Sequence, residues 1–313
     1  MCDIKQPTDF NSLIEVSDHF KDEKVCLQYL EEWIWGGQIH CPHCGWSKVY
    51  RFKDGVRFRC ANCREQFTAK IGTVFQSSKI PLRKWFVTIY LMGCNKKGLS
   101  APQLAKTIKT TRKTAWFIMH RVREMLKQDD TKLEGVVSSD EAFCGGKNRN
   151  RVKSKRKAYS FGRNFKDKTP VLGMMEQAGK VKTIVIPSIA GKHIRQAVIM
   201  NVKPGSTLVT DEYPAYKRMR RWFNHEVVQH YKEQYVNENG FSSNNIEGFW
   251  SHLKRMIIGV FHSVSRKYLQ RYCDELTFRF NTREMAEGER MALIISKANC
   301  TLPYKKLMRY GQN

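Results

Sequence analysis

Ser242-Ser-Asn-Asn-Ile-Glu-Gly-Phe-Trp-Ser-His-Leu-Lys-Arg-Met-Ile-Ile-Gly259 is the stretch around which this 313-residue chain is organised. Ile246, Phe249, Trp250, Leu253 and Ile257 recur at helical spacing, which predicts an amphipathic helix opening at Ser243 or Asn244 and closing by Gly259. Glu247 and Lys254 lie seven positions apart, so they share one edge of that helix about two turns apart. A carboxylate and an ammonium aligned beside an apolar stripe suit a charged site. They also have an ordinary explanation, because Asn244 followed by Glu247 forms a capping box and Lys254 can be a solvated cation. The upstream sequence decides between the two.

Immediately before this helix the pattern is that of a sheet. Gly135-Val-Val-Ser-Ser-Asp140-Glu141-Ala-Phe-Cys144 reads as a strand ending in Gly145-Gly146, and 169–176 and 181–186 read as the next two strands. A helix over about 192–201, a fourth strand over 207–211, a helix over 214–222 and a short fifth strand over 226–229 follow. Three strands, helix, strand, helix, strand and a closing helix predict a mixed α/β sheet of the ribonuclease H-like kind.

Asp140 then stands at the end of the first strand and Asp211 at the end of the fourth, two strands that are neighbours in such a sheet. Thirty-five residues separate Asp211 from Glu247, enough for the long helix to return across the strand ends. Three oxygen ligands from separate elements suit Mg²⁺, or Mn²⁺ in its place. Two such ions roughly 4 Å apart would activate an attacking water or 3′-hydroxyl and stabilise the leaving oxygen of an in-line displacement. Each acid has an alternative: Asp140 can sit in an ion pair, Glu141 can be the ligand in its stead, and Asp211 or Glu212 can cap the next helix.

Farther upstream, Cys41-Pro-His-Cys44 and Cys60-Ala-Asn-Cys63 are two Cys-x-x-Cys knuckles separated by fifteen residues with β-prone alternation between them. That spacing places four thiolates around one structural Zn²⁺ in a closed site, a zinc ribbon. Two short helices are expected before it, within 10–35. After it, Ser100 opens a helix to Ile108, and Arg112 opens a second to Lys127, with Ala115, Trp116, Met119, Val122 and Leu126 inward. The pair predicts a helix-turn-helix whose Arg112, Lys113, Thr114, His120 and Arg121 face DNA; a plain helical hairpin is the alternative. Between 145 and 168 ten Lys or Arg face one acid, among them Lys147, Arg149, Arg151, Lys153, Lys155, Arg156 and Lys157, a run suited to a phosphate backbone.

Composition agrees with a polyanionic partner: 55 Lys and Arg against 29 Asp and Glu leave a formal charge of +26. No run of eighteen apolar residues is present, so no membrane partner is expected. Met-Cys-Asp-Ile-Lys-Gln lacks a signal-peptide layout, and the expected compartment is a cytoplasm in which ten cysteines stay reduced. The expected division is 1–70 for the first helices and zinc ribbon, 71–130 for the helix-turn-helix region, 131–290 for the catalytic domain and 291–313 for a tail.

The chain resembles the IS1595-family transposases with an ISXO2-like DDE domain. The resemblance rests on the four cysteines, Gly72-Thr-Val-Phe75 with Pro81-Leu-Arg-Lys-Trp85, Asp140-Glu141 with Gly145-Gly146, and Lys168-Thr-Pro-Val-Leu-Gly173. It continues through Thr210-Asp-Glu-Tyr213, Asn244 with Ile246-Glu-Gly-Phe-Trp250, Leu253-Lys-Arg255, and Arg279 with Asn281 and Arg283. It implies a prokaryotic insertion-sequence transposase that binds terminal inverted repeats and performs Mg-dependent strand cleavage and strand transfer. It also implies a nucleoid-associated homodimer or higher assembly on double-stranded transposon ends and target DNA. By the family pattern Asn244 pairs with Lys254 as the third catalytic position, whereas spacing favours Glu247. In either case Lys254, with Arg255 beside it, is expected at a phosphate. Two rival readings are a non-catalytic DNA-binding regulator derived from such an element and a nuclease without strand transfer.

Overall fold

The computed structural model describes residues 9–146, 152–156, 168–177, 179–228 and 244–309. They form two compact units, Met1–Leu126 with Glu284–Asn313, and Lys127–Arg283.

The first unit opens with α1 (Leu13–His19), capped by Ser12, and α2 (Glu23–Trp35), capped by Asp22. α2 stops at Gly36, whose φ of 55° lies in the left-handed region that favours glycine. β1 (Val49–Arg51), β2 (Phe58–Cys60) and β3 (Gln66–Phe67) then form an antiparallel sheet in that order. Phe58 and Phe67 stack within it at 5.4 Å, and buried Cys41 and Cys60 complete a small core backed by Trp35. α3 (Leu82–Cys94) follows, then α4 (Ala101–Thr107) capped by Ser100, and α5 (Arg112–Met125) capped by Thr111.

The second unit is a five-stranded sheet covered on both faces. β4 (Val136–Cys144), β5 (Thr169–Glu176), β6 (Val181–Val185), α6 (Gly191–Asn201), β7 (Thr207–Thr210), β8 (Asn224–Val227), α7 (Asn244–Met256) and α8 (Leu269–Asn281) occur in that chain order. Across the sheet the order is β6-β5-β4-β7-β8. β5 is antiparallel to both neighbours, and β7 and β8 run parallel to β4.

Side chains alternate across a strand, so Val137 faces the α6 layer with Leu172, Ile194, Val198 and Leu208. α7 and α8 pack on the other face. α8 is buried on nearly every side, including an ion pair of Arg279 with Glu275.

Three expectations are corrected here. β4 runs to Cys144, as the strand read over 135–144 requires, so Asp140 stands within the strand and not at its end, with β5 paired along the whole length. The expected helix over 214–222 is two 3₁₀ turns, Pro214–Tyr216 and Met219–Arg221. α7 passes at Ile257 into a π-helical turn over Ile257–Phe261, so Met256 rather than Ile257 carries the last buried position.

The end of the chain also differs from a catalytic domain to 290 with a tail. α9 (Glu287–Ser296) and α10 (Tyr304–Arg309) belong to the first unit. Met291, Ile294, Ile295 and Leu307 are fully buried there, Arg290 donates to the Gly93 carbonyl at 3.0 Å, and the Val74 amide donates to Ala298 at 2.8 Å. An apolar stripe of that size requires a partner surface, which α3 supplies.

Candidate active site and DNA-facing elements

The parallel pairing of β4 with β7 ends at Ser138 opposite Val209. Asp140 and Asp211 each follow two residues later, where the two strands part. Such an opening beyond the ends of parallel strands is where α/β sheets place reacting groups. Asp211 turns the chain by accepting the Tyr213 amide at 3.1 Å on Oδ1.

Opposite Asp140 on β5 stands Gly173. A Cβ there would come within 2.6 Å of the Trp250 ring and 2.9 Å of Ile246 Cδ1, so the indole of α7 occupies space that only glycine leaves. From that position Trp250 Nε1 donates to Asp140 Oδ2 at 2.9 Å. Strand and helix are thereby tied at the acid itself.

Burial pushes the Asp140 carboxyl above the usual carboxylate range, and the negative charges of Asp211 and Glu247 push it further; the Glu141 amide and the Trp250 N–H act against them. Asp211 and Glu247 therefore both act electrostatically on the same half-buried carboxylate.

Alternation puts Glu141 on the other face of β4 from Asp140. It shares a face with Ser139 and accepts a hydrogen bond from the buried Tyr216 hydroxyl, which also meets Ser139 Oγ at 3.2 Å. Glu141 is thus engaged on the α6 side, opposite the Trp250 contact of Asp140.

On α7, Asn244 and Glu247 are exposed one turn apart, and Lys254 and Arg255 are exposed in the last turn. Burial pushes the Cys144 thiol at the end of β4 up to about 12, with the Lys254 ammonium acting against it.

The cysteines are gathered more tightly. Cys41 and Cys63 Sγ lie 3.6 Å apart, as do Cys44 and Cys60, and all four sulfurs fall within 4.8 Å of one another. Four Zn–S bonds of about 2.3 Å in a tetrahedron put sulfurs about 3.8 Å apart, so the set fits zinc. Among the described residues it is the one group of three or more His, Cys, Asp or Glu whose donor atoms could hold an ion as they stand. The three acids approach without closing to that degree.

α4 and α5 are joined by a short turn through Lys109, whose φ is 47°. Arg112 and Lys113 are exposed, and Thr114 is half-buried with its amide bonded to Thr111 Oγ1 at 3.1 Å. His120 and Arg121 do not face outward as expected. His120 is fully buried against Trp116, at 4.4 Å between rings. Arg121 is buried with its guanidinium 5.3 Å from the Trp85 ring and 5.6 Å from Phe117, and donates to the Gln76 carbonyl at 2.7 Å. The aromatic cover of α3 outweighs the charge pattern within α5.

In the basic run, Lys153 and Arg156 are exposed beside a 3₁₀ turn over Lys153–Lys155. Lys147, Arg149, Arg151, Lys157 and the side chain of Lys155 lie outside the described residues.

Sequence reasoning gave Trp250 and Gly173 no role at the site. A glycine inside a strand and a tryptophan on the helix stripe were the available signals, but their meeting depends on strand register. Gly173→Ala is expected to displace the indole, at about 1–3 kcal/mol for overpacking. Urea unfolding followed by tryptophan fluorescence should register the loss; an unchanged midpoint contradicts the close approach.

Comparison with known proteins follows the same division. Residues 132–281 match the ISXO2-like transposase domain, and residues 21–66 match the transposase zinc-ribbon domain. An uncharacterized protein in transposable element ISH50 of Halobacterium salinarum (strain ATCC 700922 / JCM 11081 / NRC-1) is 28% identical over 231 residues, covering 70% of this chain and 78% of that protein. A pre-cleavage Mos1 transpososome aligns with 66% of this chain and 76% of its own at 11% identity and a TM-score of 0.27. The Mos1 Strand Transfer Complex aligns with 65% and 78% at 14% identity and a TM-score of 0.19. At scores this low neither alignment defines the fold.

Proposed function

We propose that this chain, which belongs to the IS1595 family of transposases by its ISXO2-like domain and its transposase zinc ribbon, cleaves DNA at the ends of an insertion sequence and joins it to target DNA. The observation that carries the reading is the half-buried Asp140, tied to Trp250 of α7 where β4 and β7 part, with Asp211 and Glu247 both pushing its carboxyl upward. Like charges acting on a half-buried acid are what a divalent cation relieves, so these donors suit Mg²⁺ or Mn²⁺. Asp140 and Asp211 would hold it, completed by Glu247 or, one turn earlier, Asn244. When bound, a pair of such ions supplies charge stabilisation to the attacking and leaving oxygens.

The chain's own residues do the rest. Trp250 holds one oxygen of Asp140 and so limits the rotation of that carboxylate. Lys254 and Arg255 place positive charge along the exposed edge of α7, where they would hold a phosphate near the scissile position. The sheet order, with its antiparallel second strand and two parallel strands beyond the first, supports a ribonuclease H-like catalytic domain. The closed Cys₄ set would hold a structural zinc.

In the first unit, α4 and α5 would act as a helix-turn-helix with Arg112, Lys113 and Thr114 toward DNA. Lys153 and Arg156 suit the phosphate backbone. The partners are double-stranded transposon ends and target DNA, bound by a homodimer or larger assembly in a prokaryotic cytoplasm, at the nucleoid. Among the described residues no helix is long and apolar enough to cross a membrane.

The test uses the intact protein and duplexes from the DNA flanking its gene. Inverted repeats should be present there, and incubation with Mg²⁺ should release new 3′-hydroxyls at the repeat boundary and join them to a second duplex. Tight binding to the repeats without any cleavage would instead identify a regulator.

A further inference from the structure

We infer that the C-terminal helix α10 is a second DNA-contacting element that extends the α4–α5 face with cations for the duplex phosphate backbone. The inference rests on the reading of α4 and α5 as a DNA-binding pair. Tyr304, the first residue of α10, stands edge-on to Phe117 of α5 with ring centroids 5.3 Å apart. Lys113 Nζ of α5 lies 5.4 Å from the centroid of that same tyrosine ring. On the inner side of α10, Leu307 is fully buried, which fixes the rotation of the helix. Lys305, Lys306 and Arg309 are consequently all exposed, beside a Tyr304 that is itself 38% exposed.

At the α4–α5 turn, Lys106, Lys109 and Arg112 line a shallow hollow of about 520 Å³ with Thr110 and Thr111. Lys113 therefore adjoins the cations of the α4–α5 turn through Arg112 in sequence and those of α10 through the Tyr304 ring.

Neither 66–123 nor 290–313 contains a single Asp or Glu, so the segments that build this face place no carboxylate of their own among its cations. A surface that repels itself in this way is stabilised by a polyanion of regular spacing, which a duplex backbone provides. Contacts of this kind position a protein on DNA without reading its sequence.

The experiment measures binding of the full chain to two labelled duplexes of equal length by fluorescence anisotropy between 50 and roughly 200 mM salt, the range over which phosphate contacts change affinity most. One duplex is the DNA flanking the gene and the other is a scrambled sequence. The triple variant Lys305→Gln/Lys306→Gln/Arg309→Gln should bind both about tenfold or more weakly at low salt. Its log–log salt slope should be shallower by about 2–3 units, near 0.9 for each phosphate that is no longer neutralised. Far-UV circular dichroism and the melting temperature should be unchanged.

A matched variant of exposed cations in the other unit, Lys192→Gln/Lys203→Gln/Lys217→Gln, should leave the slope near that of the wild type. An equal weakening in both variants overturns the inference, because overall charge then explains it. If Arg112→Ala/Lys113→Ala weakens binding but the α10 variant does not, the inference falls and the α4–α5 reading stands. If neither does, both fall.

Discussion

Asp140→Asn is expected to reduce Mg²⁺-dependent strand cleavage by at least about 10³-fold while leaving affinity for the ends within a factor of about two. The size follows from losing several kcal/mol of charge stabilisation at about 1.36 kcal/mol per decade of rate. Asparagine keeps an oxygen to accept the Trp250 N–H, so the tie between β4 and α7 survives and folding is not the cause of the loss.

Stability provides an independent sign. The Asp140 carboxyl is raised by burial first and by Asp211 and Glu247 next. A carboxyl whose folded pKa is raised favours the fold while it is protonated. That contribution is complete below the unfolded value and is lost as pH rises through the folded one. Without metal, the wild type should therefore lose stability relative to Asp140→Asn as pH climbs from the ordinary carboxylate range toward neutrality. At pH about 7 the variant should melt at the same or a higher temperature. Loss of end binding together with cleavage, or a variant that melts well below the wild type, would contradict this role for Asp140.

Cys60→Ser is expected to have the largest effect on folding. Cys60 is buried, ends β2, pairs with Val49 across the ribbon and stands 3.6 Å from Cys44. Among the described residues the core beneath is small, built on Phe58, Phe67, Cys41 and partly buried Trp35, too little to order this sheet without a bound ion. Binding of a structural zinc is worth about 10–16 kcal/mol in isolated fingers, and much of that is folding free energy. The variant should carry no zinc where the wild type carries one per chain by mass spectrometry under native conditions. Its 21–66 region should become open to proteolysis. A chain that keeps its zinc, or one that loses zinc and stays protected, would count against a structural ribbon.

Much of the second unit was legible because its signals are local. The strand at 169–176 is bounded by Lys168 and the turn after Glu176, and in the first unit the cysteine knuckles likewise carry their own spacing. Asp140 and Asp211 could be paired from element order alone, since a first and a fourth strand become neighbours in a sheet of this kind. What the sequence did not reveal depends on parts of the chain far apart. The rotation of α5 is set by Trp85 of α3, so the charges of His120 and Arg121 gave no warning that both are buried. The fit of Trp250 over Gly173 requires the β4–β5 register as well as the phase of α7. The return of α9 and α10 to the first unit is topological: Met291, Ile294 and Ile295 announce a buried helix face but not what covers it. Glu247 was favoured by spacing and Asn244 by family resemblance. Glu247 acts on Asp140, and Glu247 and Asn244 are both exposed on the first turn of α7.

Mn²⁺ binding, read by electron paramagnetic resonance of the free ion in titrations of the wild type, Asp140→Asn, Asp211→Asn and Glu141→Gln, tests whether the strand acids share a cation. Asp140→Asn and Asp211→Asn should each weaken binding by at least about tenfold, about 1.4 kcal/mol, and Glu141→Gln should bind as the wild type does. An Asp211→Asn protein that binds Mn²⁺ like the wild type, or a Glu141→Gln protein that does not bind it, would mean that the site is not built on Asp140 and Asp211.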